Sequence, residues 1–265
     1  MFYGNSFIFD GVASEMFNLY LGQIGDSGES MTSGSDVSLT TQKIYRRPTP
    51  FIYGAEQTPV LSFPLSVYVP GEMVAPHYSA IAGWLWGQSK YKILRICQED
   101  IQEVYFNVFL TAPEITRVGN IIRAFRTTVV CDSPWGYKEA QRYTSPTYSG
   151  QVMSDEFTFY NDSDNSAYTY PRELKIIANA YGGTVTITNI TDSNRVFTLT
   201  DLLPNEIITI NCDLQIMTSD LVTYPLYKFT TKNWLRLVRG GNSLSVSGNI
   251  SNFYITTYPT PVKIG

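Results

Sequence analysis

The chain has 265 residues, of which 16% are charged and 14% aromatic, and its net charge is −4. The charged fraction lies below the roughly 25% that is usual in soluble domains. Abundant tyrosine is typical of surfaces that contact other proteins and equally of strands in a β-rich chain, so the composition leaves both interpretations open. The small negative charge excludes a generally basic surface for binding nucleic acid.

Charge is distributed unevenly along the first 50 residues. No lysine or arginine precedes Lys43, whereas five acidic residues do: Asp10, Glu15, Asp26, Glu29 and Asp36. Lys43, Arg46 and Arg47 then form a basic cluster. This cluster is either a solvated turn or one side of a charge-complementary contact with an acidic segment of a neighbouring subunit.

The cysteines and the N-terminus indicate where the chain is made. Cys97, Cys131 and Cys212 are odd in number and far apart, and they lie in strand-like runs, so we expect buried free thiols rather than a disulfide framework. The N-terminus lacks the basic and apolar regions of a signal peptide, and no apolar run approaches the ~20 residues of a membrane helix. We therefore expect a soluble protein made in a reducing cytoplasm, without membrane insertion.

The chain opens with a predicted strand, turn and strand. Asp10-Gly11 is a hairpin signal between apolar runs at 7–9 and 16–21. Residues 22–36 are rich in glycine and serine and predict a mobile loop or an arm that becomes ordered on a partner. Pro64 indicates an edge or a bulge in the strand that contains it. Strands are predicted at 37–45, 50–54, 60–69, 92–97, 103–110 and 121–131.

One helix is predicted, from Ala75 to Trp86. Ile81 and Leu85 share one of its faces at helical spacing, and Gly87 fits a C-terminal cap. Pro70-Gly71 is predicted to end the preceding strand.

The second half is predicted to be a β-sandwich. The turn at 132–136 and the polar segment 138–151 indicate a domain boundary. Turn signals then recur every 8–14 residues, which is typical of antiparallel sandwiches. The predicted strands are 156–160, 174–178, 183–189, 196–199, 207–211, 234–238, 243–246 and 252–257. We predict an N-terminal domain at 1–137, with residues 251–265 as a candidate completion of it, and a C-terminal sandwich at 138–250.

The sequence contains few residues suited to nucleophilic catalysis or zinc binding. His77 is the only imidazole available to a catalytic triad, and no serine lies in a Gly-x-Ser-x-Gly elbow. The cysteines are too far apart for a zinc site. A lone histidine at a helix start indicates a structural or solvated side chain.

Acidic and glycine-rich segments also favour structural roles. The pairs Glu99-Asp100 and Asp155-Glu156 are adjacent in sequence, so on strands they would point to opposite faces rather than cooperate in glycoside hydrolysis. The loop 161–165 lacks the glycine and terminal glutamate of a calcium-binding EF-hand, and Gly182-Gly183 lacks the ending of a phosphate-binding loop. We therefore predict no catalytic, cofactor-binding or metal-binding residues, no cofactor, and no enzymatic activity.

The order of motifs along nearly the whole chain resembles the distal tail (Dit) proteins of the baseplates of long-tailed bacteriophages. The opening 7–21 is similar to the family's first two strands, and Trp84-Leu85-Trp86 before 92–97 is similar to its helix and following strand. Cys131 to Tyr137 resembles the turn that closes its first domain. Similar segments of the second domain are 159–161, 170–171, 202–213, 234–242 and 243–248. Arg239 departs from the pattern, because proline is common at this position in the family.

This resemblance implies a mainly β fold, with an N-terminal β domain bearing one short helix and an extended arm, and a galectin-like or carbohydrate-module-like C-terminal sandwich. It implies a hexameric ring in the virion that joins the tail-tube protein to a tail-tip protein, and it admits a receptor-binding protein as a further partner. The arm at 22–48 would add a strand to a neighbour's exposed edge and become ordered on assembly.

A second interpretation is a carbohydrate-binding module that contributes to adhesion to the host surface. The candidate stacking residues are aromatic: Trp234, Tyr224, Tyr227, Tyr168 and Tyr170. The same rings would serve equally well in the sandwich core or in subunit contacts, and only exposed rings beside polar groups form a saccharide site. A secreted inhibitor or toxin-like sandwich is disfavoured by the missing signal sequence and the odd number of cysteines.

Overall fold

The computed structural model describes residues 6–22, 37–57, 60–73, 75–150, 152–164 and 167–264. The chain divides into two compact units, one comprising Met1–Lys138 with Lys263–Gly265 and the other Glu139–Val262. Both are built mainly from antiparallel strands, so the predicted β-rich class is confirmed.

The first unit is a β-sheet with one helix. Its strands are β1 (Ser6–Phe9), β2 (Val12–Ala13), β3 (Tyr20–Leu21), β4 (Val37–Gln42), β5 (Phe51–Gln57), β6 (Ser62–Met73), β7 (Lys92–Cys97), β8 (Val104–Leu110), β9 (Glu114–Val118), β10 (Ile121–Cys131) and β11 (Gly136–Lys138). The helix α1 is Ala75–Trp86, and 3₁₀ turns lie at Ser14–Phe17 and Glu99–Ile101. The main sheet has the order β2-β1-β7-β8-β10-β6-β3, with β9 on β10 and β11 on β8.

The long strands β6 and β10 form the centre of this sheet. Alternate β6 residues from Phe63 to Val69 are buried, as the period of two requires. The strand runs through Pro70-Gly71, contrary to the prediction that it ends there. Between the pairs Tyr68–Ala124 and Met73–Ile122, β6 contributes four residues where β10 contributes one, so this bulge accommodates the proline.

The helix α1 has the predicted bounds and packs on the sheet. Ile81 and Leu85 are fully buried, and the indole Nε1 of Trp84 donates a hydrogen bond to the carbonyl of Phe9 at 3.2 Å. A Cβ on Gly87 would collide with the carbonyl oxygen of Gly83, so this position after the helix requires glycine. Within the described ranges, α1 and the shorter helical turns are not long and apolar enough to cross a membrane.

The predicted strand at 16–21 is instead a 3₁₀ turn followed by the short strand β3. The buried hydroxyl of Ser14 accepts a hydrogen bond from the backbone N–H of Phe7 at 3.2 Å, which holds the chain in a turn. Asn18 then adopts the left-handed conformation at φ 54°, which interrupts extended structure.

The second unit is a β-sandwich. Its strands are β12 (Arg142–Thr144), β13 (Met153–Asn161), β14 (Tyr168–Thr169), β15 (Glu173–Ala178), β16 (Gly183–Asn189), β17 (Arg195–Leu202), β18 (Ile207–Asn211), β19 (Ile216–Ser219), β20 (Leu237–Val238), β21 (Gly240–Gly248), β22 (Ile250–Thr256) and β23 (Thr260–Val262). One sheet has the order β12-β22-β15-β18-β19 and the other β13-β21-β16-β17. A 3₁₀ turn lies at Pro225–Lys228, and β14 pairs with β20.

The two sheets bury their facing side chains in one apolar core. Ile176 and Phe253 from the first sheet and Ile187 and Val246 from the second are fully buried in the same cluster. Since roughly 25 cal/mol is gained per Å² of apolar surface removed from water, this core is the main stabilising feature of the unit.

The suggested completion of the N-terminal domain by residues 251–265 stays a prediction. Strand β22 pairs with both β12 and β15 inside the sandwich, because its alternate residues Phe253 and Ile255 fill that core. Lys263–Gly265 group with the first unit.

Candidate assembly surfaces

The strands β4 and β5 form a hairpin that is separate from the main sheet of the first unit. Among the described residues they pair only with each other, from Val37–Gln57 to Gln42–Phe51. Large apolar side chains of this hairpin are exposed: Leu39, Ile44, Tyr45, Phe51, Ile52 and Tyr53. Tyr45 is 87% exposed and Tyr53 66%. A two-stranded hairpin whose apolar side chains are not packed against a further strand or helix is at best marginally stable in water.

The basic cluster predicted from the sequence lies at the turn of this hairpin. The side chains of Lys43, Arg46 and Arg47 are all exposed. The guanidinium carbon of Arg47 lies 3.8 Å from the ring centroid of Phe51, a cation–π contact that holds one charge against an apolar ring. The hairpin tip therefore presents positive charge beside aromatic surface.

The predicted arm at 22–48 lies only partly within the described residues. Its residues 23–36 lie outside the described part of the chain. Residues 37–42 form β4, so this portion of the arm is one strand of a hairpin rather than a single extended segment.

A second exposed apolar surface lies on the sandwich, at residues 213–227, and we call it the β19 surface. It comprises the edge strand β19, the 3₁₀ turn and the residues flanking them. Six of its large apolar side chains are more than half exposed: Leu214, Ile216, Leu221, Tyr224, Leu226 and Tyr227. Contiguous exposed apolar surface of this kind marks contact sites on soluble proteins.

A buried ion pair lies beneath the β19 surface. The Nζ of Lys228 is 2.5 Å from Oε2 of Glu206, and neither side chain is exposed. Glu206 also accepts hydrogen bonds from the hydroxyl of Ser219 at 2.6 Å and the backbone N–H of Leu203 at 2.7 Å. Burial acts to raise the pKa of Glu206, but these hydrogen bonds outweigh it and lower the pKa below its usual value.

This ion pair joins the two parts of the β19 surface. Lys228 ends the 3₁₀ turn, and Ser219 ends β19. The hydroxyl of Ser219 also accepts hydrogen bonds from the backbone N–H groups of Leu221 and Val222, each at 3.1 Å. The backbone that carries the exposed apolar side chains is therefore held in place by hydrogen bonds within the same segment.

The β19 surface was not predicted from the sequence. No strand was predicted between 212 and 233, because this run mixes apolar and polar residues without a clear period. The available signal was the number of large apolar residues between Leu214 and Tyr227 in a segment without any lysine or arginine.

The aromatic residues proposed for saccharide stacking are dispersed over the sandwich. Trp234 is partly buried against the core, with its ring centroid 4.7 Å from that of Phe229. Tyr224 and Tyr227 belong to the β19 surface. Tyr168 and Tyr170 lie together, with ring centroids 5.7 Å apart in an edge-to-face arrangement.

Tyr168 and Tyr170 line an open cavity of about 320 Å³. Tyr258, Asp213 and Thr257 also line it. The hydroxyl of Tyr258 is fixed by a 3.2 Å hydrogen bond from the side-chain amide of Asn211. The cavity therefore combines aromatic rings with a carboxylate and hydroxyls, at the lower end of the size range of ligand sites.

The candidate catalytic groups are not brought together. His77 is half-buried beside the ring of Phe17, with centroids 6.1 Å apart. Asp100 accepts a hydrogen bond from the side-chain amide of Gln98 at 2.6 Å. Asp155 accepts one from the hydroxyl of Tyr143 at 3.0 Å, whereas Glu156, the next residue along β13, is exposed.

The residues of the predicted turns at 161–165 and 182–183 have structural roles in the local backbone. The side chain of Asn161 donates to the carbonyl of Leu237 and accepts from the N–H of Ser163, while Asn165 lies outside the described residues. Gly182 and Gly183 adopt positive φ angles in the tight turn before β16. No group of three metal-ligating side chains occurs in the part of the chain that the structure describes.

The three cysteines are free thiols, and they differ in burial. Burial raises the pKa of Cys131 and of Cys212 to about 12, so both are unreactive at neutral pH. Cys97 is exposed at the end of β7, contrary to the prediction that it is buried, because its neighbour Ile96 occupies the inward position of the strand.

Solved structures from phage baseplates are similar to this chain. The structure of SPP1 Dit, described as a paradigm of the hub adsorption apparatus in phages that infect Gram-positive bacteria, is 10% identical, with a TM-score of 0.60 over 95% of this chain and 98% of that chain. Two structures of the phage P2 baseplate in its activated conformation, with Ca and with Sr, are 11% and 13% identical. Their TM-scores are 0.42 and 0.38, over 91% and 84% of this chain and 90% and 87% of theirs.

Two family models together match nearly the whole sequence. One, described as a phage tail protein N-terminal domain, matches residues 2–133, and the other, described as a phage tail C-terminal domain, matches residues 135–256. No curated protein matches the sequence. The predicted relationship to the distal tail proteins is confirmed, and the chain belongs to the phage tail protein family that these two models describe.

Proposed function

We propose that this protein is a non-enzymatic hub of the phage baseplate, which assembles into a homo-oligomeric ring between the tail tube and the tail-tip proteins. The observation that carries the proposal is the β4–β5 hairpin, whose apolar side chains are exposed. The protein is made in the host cytoplasm and reaches its final place in the virion. The first unit acts as the ring-forming domain, and the sandwich is a galectin-like peripheral domain.

The hairpin supports assembly on energetic grounds. Burial of its exposed tyrosine, leucine and isoleucine side chains against another surface lowers the free energy, because apolar area is removed from water. Among the described residues β4 and β5 pair only with each other, and addition of a further strand to this hairpin would gain backbone hydrogen bonds. Both gains require a partner, which is the expected property of an arm that becomes ordered on assembly.

The likeness to SPP1 Dit supports the place of this assembly. That protein is described as the paradigm of a hub, and its fold extends over nearly the full length of both chains. We infer a six-membered ring, as the sequence resemblance implies, with the tail-tube protein on one side and a tail-tip or receptor-binding protein on the other.

Light scattering of the purified chain over a range of concentrations tests this proposal. We expect a mass that approaches six times the 29.8 kDa of one chain. The double variant Tyr45→Ser/Tyr53→Ser is expected to remain monomeric at concentrations where the natural protein assembles, because it removes the two largest exposed rings of the hairpin. Tyr181→Ser, at another exposed tyrosine, is the matched control.

Two results would contradict the proposal, the first by excluding the ring and the second by excluding the role of the hairpin in it. One is a monomer at every concentration, alone and in the presence of the tail-tube protein. The other is equal assembly of the hairpin variant and the natural protein.

A second candidate function is binding of a saccharide of the host surface in the cavity beside Tyr168 and Tyr170. Edge-to-face rings next to the carboxylate of Asp213 supply the stacking and hydrogen-bonding groups that a sugar requires. Calorimetric titration with host cell-wall oligosaccharides tests it. Binding that is lost in Tyr168→Ala and retained in Tyr181→Ala supports the site, and absence of binding to the natural protein rejects it.

A further inference from the structure

We propose that the β19 surface is the docking site for the β4–β5 hairpin of a second copy of this protein. This inference rests on the proposed homo-oligomeric assembly and names the two surfaces that meet. It is carried by three properties of the β19 surface: its apolar character, its charge and the position of β19 at the edge of its sheet among the described strands.

The apolar character of the two surfaces matches. The β19 surface presents leucine, isoleucine and tyrosine side chains, among them Leu214 at 61% and Tyr224 at 82% exposure. The hairpin presents the same residue types, with Ile52 and Tyr53 on β5. Tyrosines at the centre of such a contact contribute large apolar area while their hydroxyls remain able to bond.

The charges of the two surfaces are opposite. The β19 surface contains Asp213 and Asp220, both exposed, and the sequence from 213 to 227 contains no lysine or arginine. The hairpin turn at 43–47 contains three cations within five residues. Opposite charges at the rim of an apolar contact orient the partners and disfavour other pairings.

The backbone edges are also complementary. β19 is the last strand of its sheet and pairs with β18 on one side, from Asn211–Ile216 to Ile208–Ser219. Its sequence Ile-Met-Thr-Ser contains neither the lysine nor the proline that commonly protects an edge strand from pairing. A strand of the hairpin can therefore extend this sheet by antiparallel or parallel addition.

The buried ion pair prepares the β19 surface for docking. Lys228, Glu206 and Ser219 hold β19 and the following turn in one arrangement. Less conformational entropy is lost when a partner binds a surface that is already ordered. The hairpin is then the element that adapts, and the β19 surface is its fixed receptor.

This contact joins two different surfaces of identical chains. A heterologous contact of this type produces a closed ring when the rotation between copies closes. In the proposed ring this contact joins the peripheral sandwich of one chain to the ring-forming unit of the next, in addition to the contacts between the ring-forming units themselves.

Charge reversal tests the pairing in the full-length protein. Asp213→Lys and Arg46→Glu, each alone, are expected to raise the concentration needed for assembly by about five- to tenfold, since each replaces an attraction by a repulsion. The two changes in one chain are expected to restore assembly to within about threefold of the natural protein. Glu156→Lys, at an exposed position of β13, is the matched control.

Cross-linking gives a second measurement, in a Cys97→Ser background. Chains with Tyr45→Cys and separately tagged chains with Ile216→Cys are mixed and oxidised. We expect a disulfide between the two kinds of chain in the mixture, with yield that rises with assembly. A control mixture pairs Tyr45→Cys with Tyr181→Cys and is expected to yield little product.

The outcomes separate this inference from the proposed function. If the chains assemble and the hairpin variants prevent assembly, but the Asp213→Lys variant and the Ile216→Cys mixture behave as the controls do, the ring stands and the β19 surface is not its docking site. If the chains never associate, the homo-oligomeric function itself fails.

Discussion

The sandwich of the second unit and the β4–β5 hairpin are both built from antiparallel strands with large apolar side chains, but only the sandwich buries a set of them in a core. In the sandwich, Ile176 and Phe253 face Ile187 and Val246 from the opposite sheet. In the hairpin, Leu39 and Tyr53 face outward. Apolar residues in a strand thus indicate that it can be covered, whereas the identity of the covering surface depends on elements distant in sequence or on another chain.

We expect the largest effect from breaking the buried ion pair, which lies in the sandwich and not in the hairpin. Lys228→Met leaves the carboxylate of Glu206 buried without its cation, and we expect the sandwich to lose about 3–5 kcal/mol of unfolding free energy. Urea unfolding of the full chain measures this change. The double variant Lys228→Met/Glu206→Gln, which removes both charges, should lose less, and an equal loss would show that the charge is not the cause.

A direct comparison truncates one large side chain to alanine in each of the two regions. Ile176→Ala removes a fully buried side chain from the sandwich core and is expected to cost about 2–5 kcal/mol. Tyr53→Ala in the hairpin, measured in dilute monomeric protein, is expected to change stability by no more than about 0.5 kcal/mol. A large loss from Tyr53→Ala in the monomer would mean that the hairpin already packs within its own chain.

Acid should destabilise the sandwich through Asp192. Arg236 donates two hydrogen bonds to this carboxylate, from Nε at 2.7 Å and Nη2 at 2.9 Å, and they lower the pKa of Asp192 below its usual value of 3.8 despite partial burial. Because the folded-state pKa is the lower one, the stabilisation is fully present above pH 3.8 and is lost as the pH falls through the folded-state value.

The variant Asp192→Asn isolates this contribution. We expect it to cost about 1–3 kcal/mol at pH 7 and to unfold with a shallower dependence on pH below 4 than the natural protein. Urea titrations between pH 7 and pH 3 measure both quantities. Parallel pH curves for the two proteins would rule out Asp192 as the source.

The smallest effect concerns thiol reactivity, which reports burial without a change in stability. One thiol per chain, Cys97, should react rapidly with maleimide in the native protein, because Cys131 and Cys212 are buried and their pKa values are raised to about 12. All three should react in denaturant. Fast labelling of Cys212 in the native state would show that the sandwich core opens.

Much of the fold could be predicted from local sequence patterns. The helix at Ala75–Trp86 and the strands at 92–97 and 207–211 have the predicted bounds, because period and terminal residues define them locally. The strand β9 was missed, since all five of its residues are exposed and carry no periodic burial signal. Which sheet β22 joins could not be predicted from a local pattern, since only long-range pairing determines it.

The candidate surfaces were predictable to different extents. The basic turn at 43–47 was evident from sequence, because charge is visible in a short window. The β19 surface was not predictable from the sequence. The exposure of its side chains depends on the pairing of β19 with β18 and on the hydrogen bonds of Ser219, and a local sequence pattern specifies neither. Whether a leucine is buried in a core or exposed at a contact site depends on the folded chain, and the residue type alone does not distinguish the two.

The most direct test of the central claim is hydrogen exchange of the backbone amides of β4 and β5 as a function of protein concentration. We predict rapid exchange in the dilute monomer and protection that appears together with the increase in mass, while the amides of β15 and β16 in the sandwich core stay protected throughout. Equal protection of the hairpin in monomer and assembly, or rapid exchange in both, would contradict the claim that the hairpin is stabilised by a second chain.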